Sequence, residues 1–242
     1  MNEIFAIAES VWRRILGMKV VYFLVACAIM EIFITTFYKY LMANEERNLM
    51  VDLSHLLTTL GGLLCVLALA FDIPRELREG TATTLLAKPL GRTQYLVGKY
   101  FGISITALVV TALIATGFCI VHRLWFGNLP IEAVKGHMLT VMAVLPMAAV
   151  ALLWSSVLNE AAASILTTLC IWLLHSVPLL EKAKIVYGGL VVDMDLFNMR
   201  AESTYGIAIT WSYIGVAAVY AVVYSIGIIS VTGILFNQRD LK

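Results

Sequence analysis

Six stretches of this chain, roughly 20–38, 53–71, 100–121, 137–157, 161–180 and 207–235, hold one acidic residue, Glu31, and no lysine or arginine. A bilayer core takes about 20 apolar residues per helix, and a spanning segment must satisfy its backbone hydrogen bonds internally. Alternation over ten-residue segments, the mark of an outer-membrane barrel, is absent. The pattern predicts an all-α, polytopic membrane protein, with six transmembrane helices in a single domain over 1–242. Composition agrees: 61% of residues are apolar and 14% charged, against about 45–50% and about 25% in soluble domains. That excludes a water-soluble domain, a disordered chain and a disulfide scaffold, and a net charge of +1 gives no basic surface for nucleic acid.

Residues 1–18 are a different object. Ile4, Phe5, Ala8, Val11, Trp12, Ile15 and Leu16 recur at helical spacing, with Asn2, Glu3, Glu9, Arg13 and Arg14 on the other face. This predicts an amphipathic helix in the membrane interface. The charged segment and the long apolar run after it do not fit a cleaved signal peptide. Arg13, Arg14, Lys19, Arg75, Arg78, Lys88, Arg92, Lys99, Arg239 and Lys242 fall on one side of the expected spans, and the other side has seven basic residues. By the positive-inside rule both termini are cytoplasmic. Cys27, Cys65, Cys119 and Cys170 lie inside apolar runs without CxxC spacing and read as packing residues.

Polar chemistry is concentrated between the second and third spans, over 72–99. Pro74 suits the first turn of a short helix over 74–87. Its one face would carry Leu77, Thr81, Thr84 and Leu85, and the opposite face Arg75, Arg78, Glu79 and Ala82. Lys88-Pro89-Leu90-Gly91 reads as a tight turn, Thr93 as a cap for the next helix, and Gly98 with Gly102 as a GxxxG that admits another helix closely. Two readings fit: a solvated juxtamembrane loop, or a lever that receives a push from a cytoplasmic partner.

The strings Glu76-Leu-Arg-Glu-Gly80-Thr81, Leu85-Leu-Ala-Lys-Pro89-Leu-Gly-Arg92 and Gly98-Lys99 resemble the E-x-x-x-G-T, L-L-x-x-P-x-x-R and G-K signature of type 2 ATP-binding cassette (ABC) transporter permeases. The amphipathic start, a tight turn at Asn159-Glu160 and the ending Phe236-Asn237-Gln238-Arg239-Asp240 are similar to that family too. The resemblance implies that 74–87 is a coupling helix seated in a groove of an ATPase subunit. Glu76, Glu79, Gly80 and Thr81 would form its contact face, with Arg75 and Arg78 alongside. Pro89, Leu90, Gly91 and Arg92 would hold the return, Lys99 would anchor the third span at the headgroups, and Arg239 and Asp240 would pair within the cytoplasmic layer. It further implies two ABC ATPase partners that bind ATP and Mg, and a second permease copy or a paralogue. The expected location is the bacterial or archaeal cytoplasmic membrane, and the expected activity is export. The family also contains permeases that drive an extracytoplasmic partner, so a mechanotransmitter is a second reading.

No cofactor is expected on this chain. The nearest string to a phosphate-cradling loop, Gly91 to Tyr100, has six residues between its glycines and a tyrosine after the lysine, where GxxxxGK[ST] is required. HExxH, GxSG and GxGD are absent, and His55, His122, His137 and His175 have no i,i+4 partner, so neither an intramembrane enzyme nor a metal site is expected. Glu31 lies twelve residues past Lys19, about 18 Å along a helix, where a carboxylate is costly unless paired or facing water. It reads as a pathway residue or as a hydrogen-bonded structural one. The outer 181–206 segment reads as one or two short interfacial helices. Sparse intramembrane charge favours an apolar or amphiphilic cargo over a polyanion. The class-distinct alternative, an ATP-independent channel or carrier, predicts an inverted repeat, and 72–99 has no counterpart in the second half.

Overall fold

The computed structural model describes residues 2–17, 26, 30, 46–81, 91–173 and 192–238. Every regular element among them is helical: α1 (Asn2–Leu16), α2 (Glu46–Arg78), α3 (Arg92–Phe126), α4 (Ile131–Met142), α5 (Val144–Val157), α6 (Glu160–Thr168), α7 (Arg200–Tyr205) and α8 (Trp211–Asn237). α2, α3, the α4–α5 pair and α8 are long and apolar enough to cross a membrane. Of the six expected spans, the first lies outside the described residues apart from 26 and 30, and the fifth is described only as far as Leu173.

Local chemistry sets the breaks. Pro146 has no N–H to give the Met142 carbonyl, so the α4–α5 span breaks at Ala143 and resumes with Met147 N–H on the Ala143 carbonyl. Asn159 caps α6 by accepting from Ala162 N–H at 2.9 Å. The last span begins at Trp211 rather than 207, because Thr210 is its cap and accepts from Tyr213 N–H. α2 overruns the expected 53–71 at both ends, and Pro74 lies inside it. The expected helix start at Pro74 is therefore corrected: 74–78 is the last stretch of α2. Ile73 and Pro74 are buried there, flanked by the buried carboxylates of Asp72 and Glu76, and this packing outweighs the roughly 3 kcal/mol that an interior proline costs.

α5 is the middle of the bundle. Ala148, Ala149, Ala151 and Leu152 are fully buried between α2 and α8, where small side chains let helix backbones come close. α1 lies along the start of α3. Its Ile7, Ala8 and Val11 are buried, while Phe5 is exposed. The contact depends on two glycines of α3. A Cβ at Gly98 would stand 2.9 Å from the Ile7 Cβ, and one at Gly102 2.7 Å from the Val11 Cβ and 3.0 Å from the Ala8 backbone.

Gly102→Leu is expected to lift α1 from α3 at a cost of about 1–3 kcal/mol, the usual range for overpacking. The readout is a lower midpoint in detergent unfolding and faster tryptic cleavage at Arg13 and Arg14. Gly117→Ala on the same helix, where a Cβ meets nothing within 4 Å, should change neither.

Candidate functional site

At one end of the bundle, α2 and α3 face each other through two i,i+4 pairs, Asp72 with Glu76 and Tyr95 with Lys99. Lys99 Nζ donates to Asp72 Oδ2 at 2.5 Å and to Glu76 Oε1 at 2.7 Å. The Tyr95 hydroxyl donates to Glu76 Oε2 at 2.7 Å. Arg14, near the end of α1, reaches over to Glu76 at 2.9 Å and also pairs with Asp72. Two carboxylates and two cations therefore neutralise one another across three helices. Lys99 is 1% exposed and Glu76 5%, a depth at which an unpaired charge is very costly.

This corrects two expected roles. Glu76 faces inward and is no part of an outer contact face, and Lys99 is an internal counter-ion rather than a headgroup anchor. Arg75, Arg78 and Glu79 are on the outside, all exposed, with Arg75 Nε donating to Glu79 at 2.8 Å. Gly80 then takes φ 72°, a left-handed backbone that glycine adopts without a Cβ clash, and Thr81 follows, exposed. Pro89 and Leu90, with the rest of 82–90, lie outside the described residues, as do Glu31, Arg239 and Asp240.

The same end gathers the other helix termini. Gly91, not Thr93, is the cap of α3, and its N–H donates to the Gln94 side chain at 3.0 Å. Arg92 Nη1 donates to the carbonyls of Asn237 at 3.0 Å and Phe236 at 3.4 Å, placing a cation at the negative end of α8. Arg78 pairs with Glu160, the first residue of α6, at 2.7 Å. So the exposed end of α2 is tied to α1, α3 and α6, and the start of α3 is tied to α8.

The opposite end carries features that sequence spacing did not reveal. Arg200 of α7 holds Asp52 of α2 through Nε and Nη2, and that carboxylate pushes the Arg200 guanidinium further into its charged form. His55 and His137 stack with ring centroids 4.0 Å apart, and His137 lies within hydrogen-bond reach of the Ser54 and Thr58 hydroxyls. The i,i+4 pair Ser54 and Thr58 was the available signal, and it points at a partner 79 residues away from Thr58. A cavity of about 240 Å³ lies between α2, α4–α5 and residues 194–200.

Residues 11–187 match the family described as ABC-2 family transporter protein, and the chain belongs to that family. No curated protein matches it. Membership makes the chain a permease, a multi-pass membrane component that is not itself catalytic, and implies an ABC ATPase as its partner.

Lys99→Met is expected to leave two buried carboxylates facing one arginine and to destabilise the bundle by about 3–5 kcal/mol, the usual cost of stripping one partner from a buried pair. Glu76→Gln added to Lys99→Met restores neutrality and should recover most of that loss. Unfolding midpoints of the two variants in the same detergent check both statements.

Proposed function

We propose that this chain is the permease half of an ABC exporter in a bacterial or archaeal cytoplasmic membrane. Six spans per chain pair with a second copy or a paralogue, both termini face the cytoplasm, and α1 runs along the inner membrane interface. ATP and Mg bind the separate ATPase subunits. The observation that carries this reading is the exposed charged segment Arg75, Arg78, Glu79 and Thr81 at the end of α2, one helical turn from a buried ionic lock to α1 and α3. A groove on the ATPase that takes this segment moves α1, α2 and α3 as one body. Arg78 passes the same displacement to α6 through Glu160, and Arg92 passes it to the end of α8. Gly80 gives the segment its exit from α2, and Pro89 to Arg92 give the return.

Affinity purification of the tagged chain in mild detergent is expected to recover a soluble subunit bearing a phosphate-cradling loop. Glu79→Arg or Gly80→Val should lose that subunit, or leave it bound with its ATPase rate no longer raised by the permease. Both variants should still insert in the membrane. Among the described residues Glu79 is exposed and paired with Arg75 of its own turn, so a loss on Glu79→Arg reports docking and not folding. Recovery of the chain alone, with nucleotide present and across several detergents, overturns the reading in favour of an autonomous channel or carrier.

A further inference from the structure

The cavity at the end opposite the ionic lock has a polar end and an apolar floor. Along α2 its wall reads His55, Leu56 and Thr59, then Leu60 and Leu63; along α4–α5 it reads Thr140, then Ala143 and Met147. Both helices thus pass from hydrogen-bonding to hydrocarbon side chains in the same direction of depth, over about 12 Å from His55 to Leu63. Asn198 and Arg200 stand at the polar end and also line an outer bowl of about 570 Å³. Asp52 already neutralises Arg200 there, so among the described lining residues the polar end offers hydrogen-bonding groups without an unpaired charge. His55 is 2% exposed, and its Nε2, packed toward Gly136, is buried without a hydrogen-bond partner among the described residues, a state that native structures largely avoid.

We infer that this cavity binds a single-chain amphiphile with an uncharged polar head, the head lying between Thr59 and Asn198 and the chain against Leu63 and Met147. A cavity of about 150 Å³ holds benzene, so about 240 Å³ admits roughly ten non-hydrogen atoms. That is an eight-carbon chain with a hydroxyl, carbonyl or amide head, or the end of a longer molecule. A head of either charge would have to displace one member of the Arg200–Asp52 pair or be buried without a partner. As a cargo site the cavity rests on the permease reading above, whereas its occupancy by an amphiphile does not.

The test is equilibrium binding of radiolabelled octanamide to the purified chain in lipid nanodiscs, with protein-free discs giving the partition background. Saturable binding is expected, with octanoate and octylammonium at least about tenfold weaker. Met147→Phe, or Leu63→Phe from the facing helix should the first fail to assemble, fills the floor and should abolish saturable uptake. Asn198→Leu should weaken binding roughly threefold to tenfold, the range one hydrogen bond supports, and Asn198→Gln should recover part of it. Uptake equal to that of protein-free discs overturns the site. Equal binding of octanoate or octylammonium overturns the uncharged head. A phospholipid that co-purifies, is lost in the filled variants and resists octanamide assigns the cavity to a structural lipid and overturns the proposal. Because binding is read without the ATPase, Glu79→Arg should bind octanamide unchanged, and failure of the coupling reading leaves this result intact.

Discussion

A buried charge has few stable arrangements in a membrane-embedded bundle, and the rest of this structure is organised around one of them. Lys99 cannot stay ionised at its depth without Asp72 and Glu76, and those two carboxylates carry one negative charge too many until Arg14 arrives from α1. The requirement for neutrality fixes three helices in register at once: the α2–α3 hairpin through two i,i+4 pairs, and α1 through its last turn. It also explains why α2 continues past Pro74, since stopping there would separate Asp72 from Glu76 and leave Lys99 half-paired. Removing one charge is therefore expected to cost far more than removing a matched pair, the usual asymmetry of buried ions.

The motif strings that mark the family take on a physical meaning in this frame. The glutamate of E-x-x-x-G-T and the lysine of G-K, 23 residues apart, are hydrogen-bonded to each other. The arginine that closes P-x-x-R is bonded to the end of α8. A signature that looks like an external contact surface is in part an internal brace, which leaves Arg75, Arg78, Glu79 and Thr81 exposed. Asp72 and Glu76 are buried while Arg75, Arg78 and Glu79 are exposed, and Glu79, seven residues past Asp72, stands beyond the end of α2 at Arg78.

Spans were legible wherever apolar runs were long and uncharged, as in α3 and α8, because length and hydropathy need no partner to be read. The ends were not. α2 gained residues at both ends because Asp52 and Glu76 are paired by Arg200 and Lys99, which lie 148 and 23 positions away, and helix propensity carries no trace of such partners. Gly98 and Gly102 announced a close helix contact, but not that the visitor would be α1, placed in the interface on its amphipathic pattern. The stacked histidines were invisible for a similar reason: His55 and His137 sit on different spans, and a search along one helix finds each alone.

The packing of α1 on Gly98 and Gly102 has a consequence for the order of events during synthesis. α1 has its seat in a segment made roughly 90 residues later, which at about 5–20 residues per second is several seconds. Until then Ile7, Ala8 and Val11 lack their seat on Gly98 and Gly102, and for roughly the first 60 of those residues Arg14 lacks Asp72 and Glu76 as well. α1 then docks as a late clasp, closing over a hairpin whose own lysine and carboxylates have already met.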